Sequence, residues 1–222
     1  MRSDGRRAAA SFSGLSALAV VLFTALGLSL EPAHSQASSG TTGNPADKAI
    51  KATDLRGEWL RAGPGFACKV PAGEKLPPEL ITPEILGRAC LYIGPFVIGD
   101  DAQALIAALG APHRTLPQPN GAKASIYFLE QAGQYPYLVA TVSKNRIVAL
   151  QVTGPVAAKG YTFNHIDLGA TTDTLAQYFG RPNHLEPSSE QDTELWAYRP
   201  WPFSFEIKDG HVTSIRIADP TE

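Results

Sequence analysis

Two short stretches of the chain, residues 99–112 and 169–182, carry apolar residues at helical spacing. The apolar positions are Ala104, Leu105, Ala108 and Leu109 in the first stretch, and Leu175, Ala176, Tyr178 and Phe179 in the second. Both stretches begin with glycine and end in Gly-x-Pro, where glycine ends a helix and proline prevents its continuation. The pattern therefore predicts one short helix in each stretch.

After each helix the pattern changes to an alternation of apolar and polar residues, which is typical of half-buried strands. The predicted strands are 125–130, 137–142 and 146–152 after the first helix, and 193–198, 203–208 and 212–217 after the second. Turn sequences at 143–145 and 209–210 join the last two strands of each set. Each helix is thus predicted to lead into a three-stranded antiparallel meander.

The two halves correspond residue by residue. The matched pairs are Gly99/Gly169, Leu105/Leu175, Gly110/Gly180, Pro112/Pro182, Ile126/Trp196 and Phe128/Tyr198 at an offset of 70, Val139/Phe205 at 66 and Leu150/Ile215 at 65. The offset changes only in predicted loops, where insertions are tolerated. We therefore predict an α+β fold of two tandem repeats, residues 95–160 and 161–222. Each repeat is a short helical segment followed by a three-stranded antiparallel β-meander, and together they form a layered helix/sheet structure.

The first 37 residues have the pattern of a secretory signal peptide. Arg2, Arg6 and Arg7 precede an apolar stretch over residues 8–30, and a small-x-small cleavage site ends at Ala37. The sequence thus predicts a periplasmic or secreted protein, cleaved near Ala37 and without stable membrane insertion afterwards. The apolar stretch is also close to the length that spans a bilayer, so an N-terminally membrane-anchored protein is the alternative.

Residues 38–94 are predicted to be a flexible leader followed by an N-terminal elaboration. Residues 62–78 are rich in glycine and proline and read as a loop, and the segment has too little apolar periodicity for a core of its own. Cys68 and Cys90 are the two cysteines of the chain. In an exported protein such a pair predicts a disulfide. A redox-active pair is the alternative, although the Cys-x-x-Cys spacing is absent.

Charge argues against nucleic acid as a partner. Removing residues 1–37 takes three basic and two acidic residues from totals of 19 and 21, which leaves 16 and 19 and a formal charge of −3. Phosphate binding needs clustered Lys and Arg on a surface, and no such cluster stands out.

Residues with the chemistry of catalysis are present without the spacing that catalysis requires. The histidines outside the signal are His113, His165, His184 and His211, and none of them has a histidine four residues away. No nucleophile elbow, phosphate-binding loop or zinc-binding helix motif occurs. The sequence therefore predicts a protein that is not an enzyme and has no metal or cofactor.

The order of motifs in the second repeat is similar to that of a known family. The motifs are Gly169-Ala170-Thr171, Phe179-Gly180-Arg181-Pro182 and Trp196-Ala197-Tyr198. This order resembles the SmpA/OmlA, or BamE-like, family, and two such units in tandem resemble the architecture of the secreted β-lactamase inhibitor proteins. The resemblance implies a binding role, either as an outer-membrane assembly accessory or as a proteinaceous enzyme inhibitor. The chain lacks the lipobox of the first group and the one disulfide per repeat of the second.

Candidate binding residues come from the strand pattern and from two loops. If Leu150 and Ile215 face the helices, then Gln151 and Arg216, together with Ala149 and Ser214, lie on the sheet face that helices on one side leave open. Tyr135 and Trp201 stand just before Pro136 and Pro202 in the loops between the first two strands of each repeat. A rigid aromatic loop residue suits an interface anchor, and packing back onto the sheet is the alternative.

These features predict an exported, non-catalytic protein-binding module of the cell envelope. Its partner would be another envelope or secreted protein, and the module would act as a scaffold, an assembly accessory or an enzyme inhibitor. A periplasmic small-ligand or lipid-binding protein is the alternative function.

Overall fold

The computed structural model describes residues 51–71, 76–130 and 133–221 of the chain. The predicted signal peptide, the flexible leader and the cleavage site at Ala37 lie outside these ranges. In chain order the elements are β1 (Glu58–Ala62), β2 (Gly65–Lys69), α1 (Pro83–Arg88), β3 (Tyr92–Ile93), β4 (Phe96–Val97), α2 (Gln103–Leu109), β5 (Arg114–Pro117), β6 (Lys123–Phe128), β7 (Tyr137–Ser143), β8 (Arg146–Thr153), α3 (Thr172–Phe179), β9 (His184–Pro187), β10 (Thr193–Ala197), β11 (Phe203–Lys208) and β12 (His211–Ala218). Short 3₁₀ turns occur at Ala52–Asp54, Pro78–Leu80 and Pro119–Gly121.

One antiparallel sheet of eight strands forms the body of the protein, in the order β5-β6-β7-β8-β12-β11-β10-β9. Its two halves meet where β8 pairs with β12, with Gln151 opposite Arg216 and Leu150 opposite Ile217. The turns that make β7–β8 and β11–β12 hairpins hold Lys144, Asn145 and Asp209 at positive φ, as tight hairpin turns require.

The hydrophobic core lies on one face of this sheet. Alternate residues of the central strands point into it and are almost completely buried: Leu138, Ala140, Leu150, Val152, Phe203, Phe205, Ile215 and Ile217. Leu105 from α2 and Leu175 and Phe179 from α3 pack against them in the same cluster. The helices are therefore short elements that cover one face of the sheet.

Caps mark the start of α3 and the ends of α2 and α3, and the two glycine ends are where the sequence predicts them. Thr171 accepts a hydrogen bond from the Thr174 amide at the start of α3, at 3.2 Å. Gly110 and Gly180 follow α2 and α3 with φ of 77° and 73°, a conformation that glycine adopts without steric cost.

The predicted fold class is wrong, because the protein is mostly β. α2 and α3 each precede four strands, and the strands of both halves form one continuous sheet in place of two three-stranded meanders. In each half the strand that the sequence did not predict is the first one, β5 or β9. Both are edge strands that end in proline, at Pro117 and Pro187, where the missing N–H leaves no gap in the ladder.

The matched pairs of the first two strands are also displaced by one residue. Ile126 and Val139 lie on the face opposite the core, whereas their supposed counterparts Trp196 and Phe205 point to the core side. A slip of one residue moves every side chain of a strand to the other face. The match between Leu150 and Ile215 in the later strands places both residues on the correct face, since both are fully buried in the core.

The N-terminal elaboration contains a hairpin, β1–β2, where the sequence predicted a loop over residues 62–78. Phe66 of this hairpin packs edge-on against Phe179, Tyr198, Trp201 and Phe203, with ring centroids 4.9–5.7 Å apart. The predicted disulfide is confirmed: Cys68 of β2 is bonded to Cys90, which follows α1. The hairpin thus covers the core of the second half and is tied covalently to the segment that enters the first.

Candidate functional site

We call the side of the eight-stranded sheet opposite the core the open face. Its side chains form rows across neighbouring strands. The central row consists of Arg114, Ile126, Val139, Gln151, Arg216 and Ser204. The aromatic row beside it begins with Phe128 and Tyr137 and continues through Thr153, Ser214, Glu206 and Leu195. The small-residue row on its other side consists of Leu116, Ala124, Thr141, Ala149 and Ala218.

A groove of about 540 Å³ runs over the first half of this face, and we call it the basic groove. All three rows contribute to its lining. Arg114 and Arg216 are the charged side chains that line it, and no carboxylate among the described residues does so. Both guanidinium groups are exposed, and neither forms an ion pair within the described ranges. The groove therefore carries positive charge although the whole chain has a formal charge of −2.

Aromatic rings form one wall of the basic groove. Tyr135 and Tyr137 lie with their ring centroids 5.4 Å apart, and Phe128 packs against His113 at 4.3 Å. Burial raises the pKa of the Tyr137 phenol, and a hydrogen bond with Thr153 partly opposes that rise. The phenol therefore stays neutral at physiological pH and keeps its proton for donation.

Hydrogen bonds hold the centre of the open face in place. The Gln151 side-chain amide donates to the Ser214 hydroxyl at 2.9 Å, and the hydroxyls of Ser214 and Thr153 are 3.1 Å apart. These three residues come from β8 and β12, so the network spans the junction of the two halves. A fixed polar network of this kind pre-organises the surface for binding.

The far end of the sheet carries the opposite charge. A depression of about 750 Å³ along β9, β10 and the turn between them is lined by Glu186, Glu190, Asp192 and Glu194. The register places Glu186 on the open face, opposite Leu195, whereas Glu194 is opposite the buried Ile207 and points to the core side. Arg199 pairs with Glu186 at 3.0 Å and neutralises part of this charge. Glu206 lies between the two ends of the open face and accepts a hydrogen bond from the Ser188 hydroxyl at 2.7 Å. The open face is thus basic over β5–β8 and β12, and its carboxylates are Glu206 and Glu186 towards the β9 end.

Three of the four predicted binding residues meet in the basic groove. Tyr135, Gln151 and Arg216 all line it, although they come from a loop, β8 and β12. Tyr135 is 51% exposed at the groove's edge. Their role in binding stays a prediction, but the parity argument placed Gln151 and Arg216 on the correct face.

Trp201 does not join them. Its indole N–H donates to the Phe66 carbonyl oxygen at 3.2 Å, and its ring packs against the Phe66 ring. A Cβ atom at Gly65 would overlap this indole, so the hairpin and the tryptophan fit closely together. The exposed position predicted for Trp201 is therefore not the one it has. The cause is the β1–β2 hairpin, which the sequence analysis interpreted as loop.

Most residues that line the groove were not among the predicted binding residues, and Arg114, Ile126, Phe128 and Val139 are four of them. Ile126 and Phe128 were visible as alternating apolar residues, but the displaced repeat matching gave them the wrong face. Arg114 could not be placed because β5 was not recognised as a strand. This strand has one half-buried residue, Leu116, among three exposed ones, and so short a pattern does not predict a strand.

Among the residues that the structure describes, potential metal ligands do not cluster on either face. Within the described ranges, no group of three or more His, Cys, Asp or Glu side chains could hold a metal ion. Of the helices in these ranges, none has the length and apolar content that crossing a membrane requires. The predictions of no catalysis, metal or cofactor stay predictions.

No protein-family model matches the chain, and the comparison with curated proteins gives no match. Solved structures give distant similarities. An extracellular protein containing an SCP domain from Bacillus anthracis matches at 15% identity and a TM-score of 0.39, over 56% of this chain and 45% of that one. A DUF4309 family protein from Bacillus subtilis matches at 19% identity and a TM-score of 0.38, over 54% of this chain and 78% of that one.

A candidate β-lactamase inhibitor protein from Streptococcus mutans matches at 14% identity and a TM-score of 0.22, over 53% of this chain and 81% of that one. The aligned region spans less than half the length of the Bacillus anthracis chain. TM-scores this low carry no argument about function. The resemblance to tandem BamE-like repeats has no family match to support it, and the similarity to a candidate β-lactamase inhibitor protein is weak.

Proposed function

We propose that the protein is an exported, non-catalytic protein-binding module of the cell envelope, and that its partner binds to the open face. The observation that supports this most is the basic groove. It presents half-buried apolar side chains, a tyrosine pair and two unpaired guanidinium groups on a surface that no described helix or hairpin covers. Apolar and aromatic residues surrounded by polar ones are the usual composition of a protein interface.

The size and shape of the groove favour a protein partner. Eight strands support a surface several times wider than a small-molecule pocket, and each neighbouring strand adds about 4.8 Å to its width. The groove crosses five of these strands and is open along its length. The disulfide between Cys68 and Cys90 supports export, because such bonds persist in oxidising compartments.

Photocrosslinking from single positions tests where the partner binds. Tyr135 and Tyr178 are matched tyrosines, 51% and 42% exposed, and Tyr178 lies on α3 on the opposite side of the sheet. Each is replaced in turn by the photoreactive residue p-benzoylphenylalanine in the protein expressed in its native host. We expect a defined adduct from position 135, identified by mass spectrometry, and little from position 178.

The identified protein is then purified and its binding measured by calorimetry. We expect Tyr135→Ala combined with Gln151→Ala to weaken binding, whereas Tyr178→Ala leaves it unchanged. Adducts at position 178 alone, or equal loss of affinity in both variants, would contradict the assignment of the open face. Fractionation of the host cells tests export separately, and recovery of the protein in the cytoplasm would contradict that part of the proposal.

A further inference from the structure

The two unpaired guanidinium groups of the basic groove stand in the same row at a fixed separation. Arg114 is on β5 and Arg216 on β12, and the register places Ile126, Val139 and Gln151 between them. Four steps between neighbouring strands separate the two arginines, which corresponds to about 19 Å. The middle of this row is apolar and half-buried, and its ends are cationic.

Charges elsewhere on the open face do not neutralise this pair. The carboxylates of the acidic end belong to β9, β10 and the turn between them, and Glu186 is already paired with Arg199. Glu206 of β11 is closer to Arg216, and its carboxylate accepts a hydrogen bond from the Ser188 hydroxyl. The arginines thus remain available to carboxylates from another molecule, and guanidinium groups bind carboxylates with two parallel hydrogen bonds.

We propose that the basic groove binds an acidic, extended segment of the partner protein. Its carboxylates pair with Arg114 and Arg216, and aliphatic side chains between them contact Ile126 and Val139. An extended chain advances about 3.3 Å per residue, so the two carboxylates stand about six residues apart. The neighbouring small-residue row, with Ala124 and Ala149, allows the backbone of such a segment to approach closely. This inference rests on the proposed function and names the chemistry of the partner.

Synthetic peptides test the charge requirement directly. The probe is a peptide with the sequence Glu-Thr-Leu-Thr-Leu-Thr-Glu, in which both leucines share a face with the two glutamates when the chain is extended. The control peptide has glutamine at both ends. Calorimetry with the whole protein should show the glutamate peptide binding about two- to thirtyfold more tightly, since each of the two exposed ion pairs contributes a fraction of a kcal/mol to about one. The difference should shrink at high salt.

Protein variants locate the effect. The double variant Arg114→Gln/Arg216→Gln should lose the preference for the glutamate peptide. The matched control, Arg61→Gln/Arg181→Gln, removes two exposed arginines that lie beside α3 and away from the groove, and it should keep that preference. Circular dichroism confirms that both variants are folded.

Three results of the peptide measurements would overturn the inference. They are equal binding of the two peptides, no binding of either at millimolar concentration, and loss of the preference in the control variant. If the protein sediments as a dimer and Arg216→Glu dissociates that dimer, the groove binds a second copy of the chain, and the inference is overturned as well. Crosslinking from position 135 can also identify a partner that binds Arg114→Gln/Arg216→Gln as tightly as the wild type. That result would support the proposed function and would contradict the inference that the arginines bind its carboxylates.

Discussion

Asn164 joins the N-terminal hairpin to the body of the protein, and its replacement tests how that junction is held. Its side-chain oxygen accepts a hydrogen bond from the Trp59 amide at 2.6 Å, and its side-chain nitrogen donates to the Trp59 carbonyl oxygen at 3.0 Å. The side chain therefore pairs with the outer edge of β1 as a neighbouring strand would. Asn164 is buried, and its φ of 48° is one that asparagine adopts more readily than most residues.

Asn164→Ala removes both hydrogen bonds and leaves two buried backbone groups of Trp59 without partners. Each such group costs about 1–3 kcal/mol, so we expect the free energy of unfolding to fall by about 3–4 kcal/mol in equilibrium urea denaturation. Part of the loss comes from alanine at positive φ, which costs about 1 kcal/mol or more.

Two further variants separate the contributions. Asn164→Gly removes the same hydrogen bonds without the backbone penalty, so it should be more stable than Asn164→Ala by about 1 kcal/mol. Asn164→Asp keeps the acceptor for the Trp59 amide, but it buries a carboxylate and sets an oxygen against the Trp59 carbonyl oxygen, so at neutral pH it should be no more stable than Asn164→Ala. If Asn164→Ala unfolds within about 1 kcal/mol of the wild type, the hairpin is held by its aromatic contacts and the reasoning about Asn164 is refuted.

Three other predictions follow from the same structure. Replacing Cys68 and Cys90 by alanine opens a loop whose ends are 22 residues apart and should lower the free energy of unfolding by about 3 kcal/mol; an unchanged urea midpoint would contradict this. Burial raises the pKa of Tyr198 above its ordinary value of 10.0, so the unfolded state loses this proton first and stability falls as pH rises above about 10; Tyr198→Phe should make that fall shallower by up to one proton, and an identical slope would contradict the assignment. Trp201→Ala should lower the free energy of unfolding by about 2–4 kcal/mol in urea denaturation, because it removes the ring that packs on Phe66. Tyr135→Ala should lower it by less than about 1 kcal/mol, because that side chain is exposed; equal losses would show that Trp201 contributes no more to stability than Tyr135 does.

The sequence was sufficient to locate six strands and two helices, because their apolar periodicity comes from contact with a single core. Alternation in β8, β11 and β12 indicates which residues point to the helices, and Leu150, Phe205 and Ile215 are all fully buried as a result. For the same reason Gln151 and Arg216 could be assigned to the open face. Local patterns were informative wherever burial alternates along a strand.

Other features depended on contacts that local patterns do not contain. The edge strands β5 and β9 are four residues long and end in proline, so their sequences do not differ from those of loops. The hairpin β1–β2 is rich in glycine around its turn, and what makes it a hairpin is packing on Phe179 and Phe203 more than 100 residues later. Tertiary contact decides the conformation of such segments.

The same hairpin explains why equivalent loops of the two halves have different surroundings. Tyr135 and Trp201 lie in corresponding loops, each just before a proline, yet Trp201 packs against Phe66 whereas Tyr135 packs against Tyr137 at the edge of the basic groove. The core of the first half is completed instead by Leu91, Ile93, Phe96 and Ile98, which leave the loop of Tyr135 uncovered. The aromatic residue before the proline thus packs into the fold in the second half and stays exposed in the first. The groove lies over β5–β8 and β12, because the first half supplies the exposed Tyr135 and Arg114, and the neighbouring β12 of the second half supplies Arg216.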